Sequence, residues 1–189
     1  MIDTKEFRTD HSISGADVEH ILESIKGRKT FIDYGCHLGH LSFEAAIRYD
    51  VDVIAVDNFT GTVGDPHMRA TFKNYPNGFK EIFDDNMSKV QDRFIGRVEA
   101  VTSEDFWSSR ALELAGKVDS MFIDSSHRPE ESGEYEKLAN LLKSGGLMMG
   151  HDYEDGFFLG VIKPVTELRK SGRFGEFAVK GTVFSMVVQ

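Results

Sequence analysis

Cysteine occurs once in the 189 residues, as Cys36, so no internal disulfide can form and a reducing compartment is expected. Clustered positive charge is missing too. Lysine and arginine number 22 against 31 acidic residues, for a net charge of −9, and they form no basic run. A protein that tracks phosphates needs grouped Lys and Arg, so no nucleic-acid partner is expected. The acidity is expected to serve solubility. No apolar run approaches the roughly 20 residues that span a bilayer, so no membrane partner is expected. The first residues, Met1-Ile2-Asp3-Thr4-Lys5-Glu6, are charged and mixed, unlike a secretory leader. Cytoplasmic localisation is the resulting expectation. Repeats, low-complexity tracts and an internal linker are absent as well.

What is present describes a folded chain. Hydrophobic residues make up 40% and aromatics 11%, which suits a globular protein. The length supports one substantial core and is short for two, so residues 1–189 are expected to form a single domain.

The periodicity alternates strands and helices. In an N-terminal helical segment, residues 1–28, Ser14 reads as an N-cap. Val18, Ile21, Leu22 and Ile25 form one stripe, and Gly27 is the stop. Strands follow at about 30–34 and 53–57, with a helix at about 39–49 between them. Residues 58–78 show no period and hold Gly61, Gly64, Pro66, Pro76 and Gly78. A loop this long is usually functional, so it is a candidate lid or substrate loop. A helix carrying Phe79, Ile82, Phe83, Met87 and Val90 precedes a strand at 98–101. Ser103 reads as the cap of the next helix. A strand at 118–123 leads to a helix that opens near Pro129 and runs through Leu142. Gly145-Gly146 then breaks it before a strand at 147–150. A helix at about 160–170 and a hairpin of 174–179 with 182–188 close the chain. The expected fold is α/β, a Rossmann-like, seven-stranded, mostly parallel sheet. It has an antiparallel C-terminal hairpin and helices on both faces.

In such sheets ligands sit at the carboxyl ends of the strands. Five polar clusters fall there: Asp33 to Gly39, Asp57-Asn58, Thr102-Ser103-Glu104, Asp124 to His127, and His151-Asp152-Tyr153. The first joins a buried strand, an acidic end and a glycine-spaced turn, Thr30-Phe31-Ile32-Asp33-Tyr34-Gly35-Cys36-His37-Leu38-Gly39. The second strand ends in Asp57, placed to accept hydrogen bonds from a ribose diol. By themselves these features indicate a nucleotide-like cofactor without saying which.

Two longer stretches narrow the choice. One is Val118-Asp119-Ser120-Met121-Phe122-Ile123-Asp124-Ser125-Ser126-His127. The other is Leu141-Leu142-Lys143-Ser144-Gly145-Gly146-Leu147-Met148-Met149-Gly150-His151-Asp152-Tyr153. A strand ending Ile-Asp-x-x-His, then Leu-x-x-Gly-Gly, then Gly-His-Asp-Tyr resembles the class I S-adenosylmethionine-dependent methyltransferases. The branch most like it is the small-molecule O-methyltransferases of the methyltransferase-24 type. The terminal hairpin fits that family, and nicotinamide-binding Rossmann domains usually lack it.

The resemblance implies roles. Asp33, Gly35, His37 and Gly39 would form the loop around the methionine part of S-adenosylmethionine, with His37 standing where a glycine is frequent. Asp57 would hold the ribose, Asn58 would lie under the adenine, and Ser103 and Glu104 would edge that ring. Asp124 would sit near the sulfonium and the acceptor. Asp124, His151 and Asp152 match the places that bind a divalent metal in metal-dependent relatives. One imidazole among them suits Mg2+ less than three oxygens would. Without a metal, His127 or His151 would be the general base. The expected activity is O-methylation of a small hydroxylated acceptor, sugar-like or natural-product-like. The alternatives are a cofactor-binding module without catalysis and an NAD(P)-dependent oxidoreductase. A homo-oligomer is compatible with either outcome. His37 and His40 have metal-like spacing but flank the cofactor loop. Cys36 reads as a packing residue, and Tyr153, Phe157 and Phe158 read as an acceptor wall or as simple packing.

Overall fold

A computed structural model describes residues 13–61, 78–125, 133–154 and 158–189. The elements run α1 (Gly15–Ile25), β1 (Thr30–Tyr34), α2 (His40–Arg48), β2 (Asp52–Asp57), α3 (Phe79–Ser88) and β3 (Arg97–Thr102). Three contiguous helical pieces follow: Ser103–Asp105, a π-helical turn Phe106–Arg110, and Ala111–Leu114, together α4. Then come β4 (Val118–Ile123), α5 (Gly133–Ala139), β5 (Leu142–Gly150), α6 (Leu159–Lys170), β6 (Phe174–Lys180) and β7 (Val183–Val188). Their order in the sheet is β3-β2-β1-β4-β5-β7-β6. β3 through β5 pair in parallel, while β7 pairs antiparallel with both β5 and β6. This is the expected seven-stranded sheet with its closing hairpin.

The inner parallel strands β1, β2 and β4 are buried on both faces, which is why they read as near-continuous apolar runs, whereas the edge strand β3 is largely exposed and alternates. On one face Ile32, Val56, Met121 and Met148 pack under α4, α5 and α6. On the other, Phe31, Val53, Phe122 and Met149 pack under α1 and α2, and Ala55 packs with Phe79 and Phe83 of α3. The order reverses between β1 and β4. β1 therefore runs centrally and delivers its carboxyl end to the crevice.

Local signals explain most boundaries. The Ser14 hydroxyl accepts from the Asp17 amide at 3.1 Å, and Gly27 turns left-handed at φ 80 just past the helix. Two boundaries differ from expectation. Thr102, not Ser103, caps α4: its hydroxyl accepts from the Asp105 amide at 3.1 Å and donates to the Asp105 carboxylate at 2.7 Å. The carboxylate three residues on accepts from the Thr102 hydroxyl and so selects the earlier cap. β5 begins at Leu142 rather than 147. Gly145, at φ 74, makes an irregularity within the strand instead of separating a helix from it. Residues 1–12, Pro129 and most of the 58–78 loop lie outside the described residues. Among the described residues, no helix is long and apolar enough to cross a membrane.

Candidate active site

β1 presents Asp33 on the same face as Phe31, towards α2, at a position the strand pattern makes core. The residue is 2% exposed, and the Ser42 hydroxyl of α2 donates to its Oδ2 at 2.6 Å. Burial pushes the Asp33 pKa up. The charges of Asp124 and Asp57 push it further against the lowering effect of Ser42, to about 7. Carboxylates therefore outweigh cations in this part of the crevice.

The turn after β1 contains three left-handed residues: Gly35 (φ 92), His37 (φ 49) and Gly39 (φ 89). A Cβ on Gly35 would lie 2.1 Å from the backbone oxygen of Asp124, so glycine is required where this turn crosses the end of β4. A Cβ on Gly39 would strike the rings of Phe43 and Phe83. His37 tolerates the unfavourable conformation with two contacts. Its amide donates to Asp57 Oδ2 at 2.9 Å, and its ring packs edge-on to Phe79 at 4.7 Å. The middle place of the turn accepts a side chain because that ring packs onto α3.

Asp57 is held by the same turn. Its Oδ1 accepts from the Phe59 amide at 2.7 Å while Oδ2 accepts from His37. A carboxylate offers roughly four acceptor sites, so about two remain for a diol. Asn58 is exposed, and its Oδ1 accepts from the Thr60 and Gly61 amides, building the turn. Ser103 is half-buried at the start of α4 and Glu104 is exposed. Ser42 and Tyr34 carry no motif signal of their own in the sequence, and Trp107 reads there as a core residue, which its packing against the cluster under α4 bears out. The Trp107 indole donates to the Tyr34 hydroxyl at 3.0 Å, tying the π-helical turn to the residue before Gly35. A serine on the buried side of α2 was the signal that could have revealed Ser42. Nothing in the spacing joins residue 107 to residue 34.

On the other side of the crevice β4 and β5 end together. The Asp124 amide donates to the Tyr34 carbonyl at 2.8 Å and the His151 amide to the Ile123 carbonyl at 3.0 Å. The His151 Nδ1 lies 3.1 Å from Asp152 Oδ1 and 3.8 Å from Asp124 Oδ1. One ligand atom from each of the three residues falls within 4.8 Å of the others. Burial alone would lower the His151 pKa. The hydrogen bond to Asp152 and the charges of Asp124, Asp152 and Asp17 outweigh it, so the imidazole titrates above its ordinary value.

Tyr153 stacks edge-on to Phe177 and Phe184 at 5.4 and 5.8 Å, against the sheet face that β7 completes. Cys36 is buried, and burial pushes its thiol well above the usual range, which suits packing rather than nucleophilic chemistry. His127 and Phe157 lie outside the described residues.

The two groups that these residues could hold fit differently. Asp33, the left-handed turn and the free acceptor sites of Asp57 suit a cationic, diol-bearing cofactor. Asp124, His151 and Asp152 offer two carboxylates and one imidazole, which suit a divalent cation but not the all-oxygen preference of Mg2+.

Known proteins supply the context. The pattern of a methyltransferase domain family, type 24, matches residues 32–153. No curated protein matches the chain. Among solved structures, a candidate O-methyltransferase from Klebsiella pneumoniae is similar at a TM-score of 0.67 and 14% identity. That match covers 96% of this chain and 83% of the other. An O-methyltransferase from Bacillus cereus, in complex with S-adenosylhomocysteine (SAH), matches at 0.63 and 13%, covering 95% and 84%. The O-methyltransferase TomG from Streptomyces achromogenes, involved in tomaymycin synthesis and in complex with S-adenosylmethionine (SAM), matches at 0.58 and 13%, covering 94% and 82%. At these identities the likeness is one of fold.

Proposed function

The chain belongs to the methyltransferase-24 family of class I methyltransferases, and on that premise we propose that it uses SAM to methylate a hydroxyl oxygen of a small acceptor. One observation carries the reading. The carboxylates of Asp33 and Asp57 flank a left-handed turn, and across the crevice Asp124, His151 and Asp152 gather within 4.8 Å at the adjoining strand ends. Bound SAM supplies an electrophilic methyl group on a cationic sulfur.

The residues divide the remaining work. Asp57 accepts hydrogen bonds from the ribose diol while its own geometry is held by the amides of His37 and Phe59. Asp33 and Asp124 offset the positive charge of the cofactor. The Gly35 turn sets the cofactor loop directly against the backbone of Asp124, so donor and acceptor meet at one strand end. Alignment of this kind is the main source of rate in a displacement at carbon. The acceptor hydroxyl loses its proton to the Asp124–His151–Asp152 group, in which Asp152 and Asp124 orient the imidazole. A divalent cation held by the same three residues would acidify the hydroxyl instead. Acceptors expected for such a site are neutral, sugar-like or natural-product-like hydroxyl compounds.

The test is turnover of deuteromethyl-labelled SAM against a panel of hydroxylated small molecules, read by mass spectrometry. The expected result is a labelled methyl ether together with SAH. Cofactor binding without transfer to any acceptor would favour a binding module. Failure to bind SAH, with binding of NADH, would favour the oxidoreductase alternative.

A further inference from the structure

α5 buries one face against the sheet through Tyr135, Leu138 and Ala139, at the i, i+3, i+4 spacing of a core stripe. By that pattern Tyr135 is a packing residue, and its ring does pack. It is 4% exposed, and its ring centroid lies 6.5 Å from that of Phe184. Phe184 pairs opposite Gly150, where a Cβ would lie 2.5 Å from the Phe184 ring and 3.0 Å from the Ile123 carbonyl oxygen. The missing side chain lets the Phe184 ring cross the end of β5, one residue before His151. Tyr135 is set beside that ring.

Packing accounts for the ring of Tyr135 but not for its hydroxyl. A buried tyrosine hydroxyl usually has a hydrogen-bond partner. Among the described residues, none hydrogen-bonds this one. After burial, the strongest influences on it are the charges of Asp124 and Asp152, ahead of Glu134 beside it in the chain, and all push its pKa up. The phenol thus lies near the two carboxylates and keeps its proton. Asp124 and Asp152 bring hydrogen-bond acceptors to these strand ends, and Tyr135 brings a neutral donor.

The reacting oxygen needs such a donor. Its proton leaves for the Asp124–His151–Asp152 group while a lone pair attacks the methyl carbon. Negative charge then gathers on the oxygen, and the nearby carboxylates oppose it. A hydrogen bond from a neutral donor offsets that charge where it develops.

We infer that Tyr135 is a catalytic residue of the transfer, its hydroxyl donating to the acceptor oxygen as that oxygen gives up its proton. The acceptor O–H bond and the sulfur–methyl bond break, and the O–CH3 bond forms. The proton passes to the His151 group, sulfur takes the electron pair and leaves as neutral SAH, and Tyr135 keeps its own proton. The inference rests on the reading of these strand ends as the acceptor side of the methyl-transfer site.

The experiment compares Tyr135→Phe with the unsubstituted full chain, using deuteromethyl-labelled SAM and a panel of methyl glycosides, polyols and phenols. Phenylalanine keeps the ring and removes only the hydroxyl. For panel members that the unsubstituted chain methylates, kcat and kcat/KM should fall together by about 10²-fold, with KM and SAH affinity changed by less than about threefold. Leu138→Val, in the same stripe and without a polar atom, is the packing control. It should lower Tm and hold kcat within about threefold. An unchanged kcat in Tyr135→Phe, a change confined to KM, or a loss of SAH affinity matching the loss of kcat would each overturn the inference and leave the methyltransferase reading standing. No transfer by the unsubstituted chain to any panel member would overturn both.

Discussion

Ser42 donates its hydroxyl to Asp33 at 2.6 Å inside the core, where both residues are buried. The bond satisfies one oxygen of a carboxyl group that burial, Asp124 and Asp57 together push to a pKa of about 7. Asp33 therefore folds at a proton cost that depends on pH.

Native Asp33 titrates near 7 and the unfolded side chain near 3.8. Between these values the native state holds more protons, so stability falls as pH rises through the window and levels off above 7. The full effect is on the order of 4 kcal/mol. Urea unfolding of the parent and of Asp33→Asn, at pH 5 and pH 8, should show the parent losing more stability than the variant. Parallel losses in the two proteins would refute the raised pKa.

Asp57→Ala removes the acceptor for two backbone amides and the expected diol partner. Each charge-assisted bond is worth about 1.5–3 kcal/mol, so calorimetry should show SAH affinity reduced by about a hundredfold or more. A variant that binds as the parent does would remove Asp57 from the cofactor site.

His151→Ala and Asp152→Ala separate binding from chemistry. Loss of a positioned proton acceptor costs about 10²–10⁴ in rate, so kcat should fall by that range while SAH affinity changes by less than about threefold. Equal losses in kcat and SAH affinity would instead indicate damage to the fold.

Gly35→Ala and Gly27→Ala form a matched pair. Both positions have positive φ, but only Gly35 faces a backbone atom at 2.1 Å, while a Cβ on Gly27 would meet nothing within 4 Å. Gly27→Ala should cost about 1 kcal/mol, and Gly35→Ala roughly 2–4 kcal/mol with weakened SAH binding. Thermal denaturation measures both, and similar shifts in Tm would contradict the close approach.

The single tryptophan gives a readout of the cofactor side. Trp107→Phe and Tyr34→Phe each remove the 3.0 Å bond between α4 and β1, at about 1 kcal/mol. A double-mutant cycle should then show coupling of about 1 kcal/mol. Strict additivity would mean that the bond contributes nothing.

Local patterns were sufficient for much of this protein. Continuous apolar runs marked the buried parallel strands, the stripe of Val18, Ile21, Leu22 and Ile25 marked α1, and the Gly-His-Asp-Tyr ending marked β5. Boundaries failed where two local signals competed. Thr102 and Ser103 both offer a capping hydroxyl, and Gly145-Gly146 serves equally as a helix stop or a strand irregularity.

By itself the amino-acid order determined the order of the elements, the sheet class and the polar strand ends, because side-chain periodicity and turn chemistry act over a few neighbouring residues. Only the tertiary structure decided which of those ends meet. Asp124 and His151 are distant in sequence, and their approach follows from the pairing of β4 with β5. The same holds for Ser42 under Asp33, Trp107 on Tyr34 and the backbone of Asp124 against Gly35. A pKa near 7 on Asp33 and a nitrogen shared by two carboxylates at His151 are properties of packing, since burial and opposing charge arise only when separate elements close on one another.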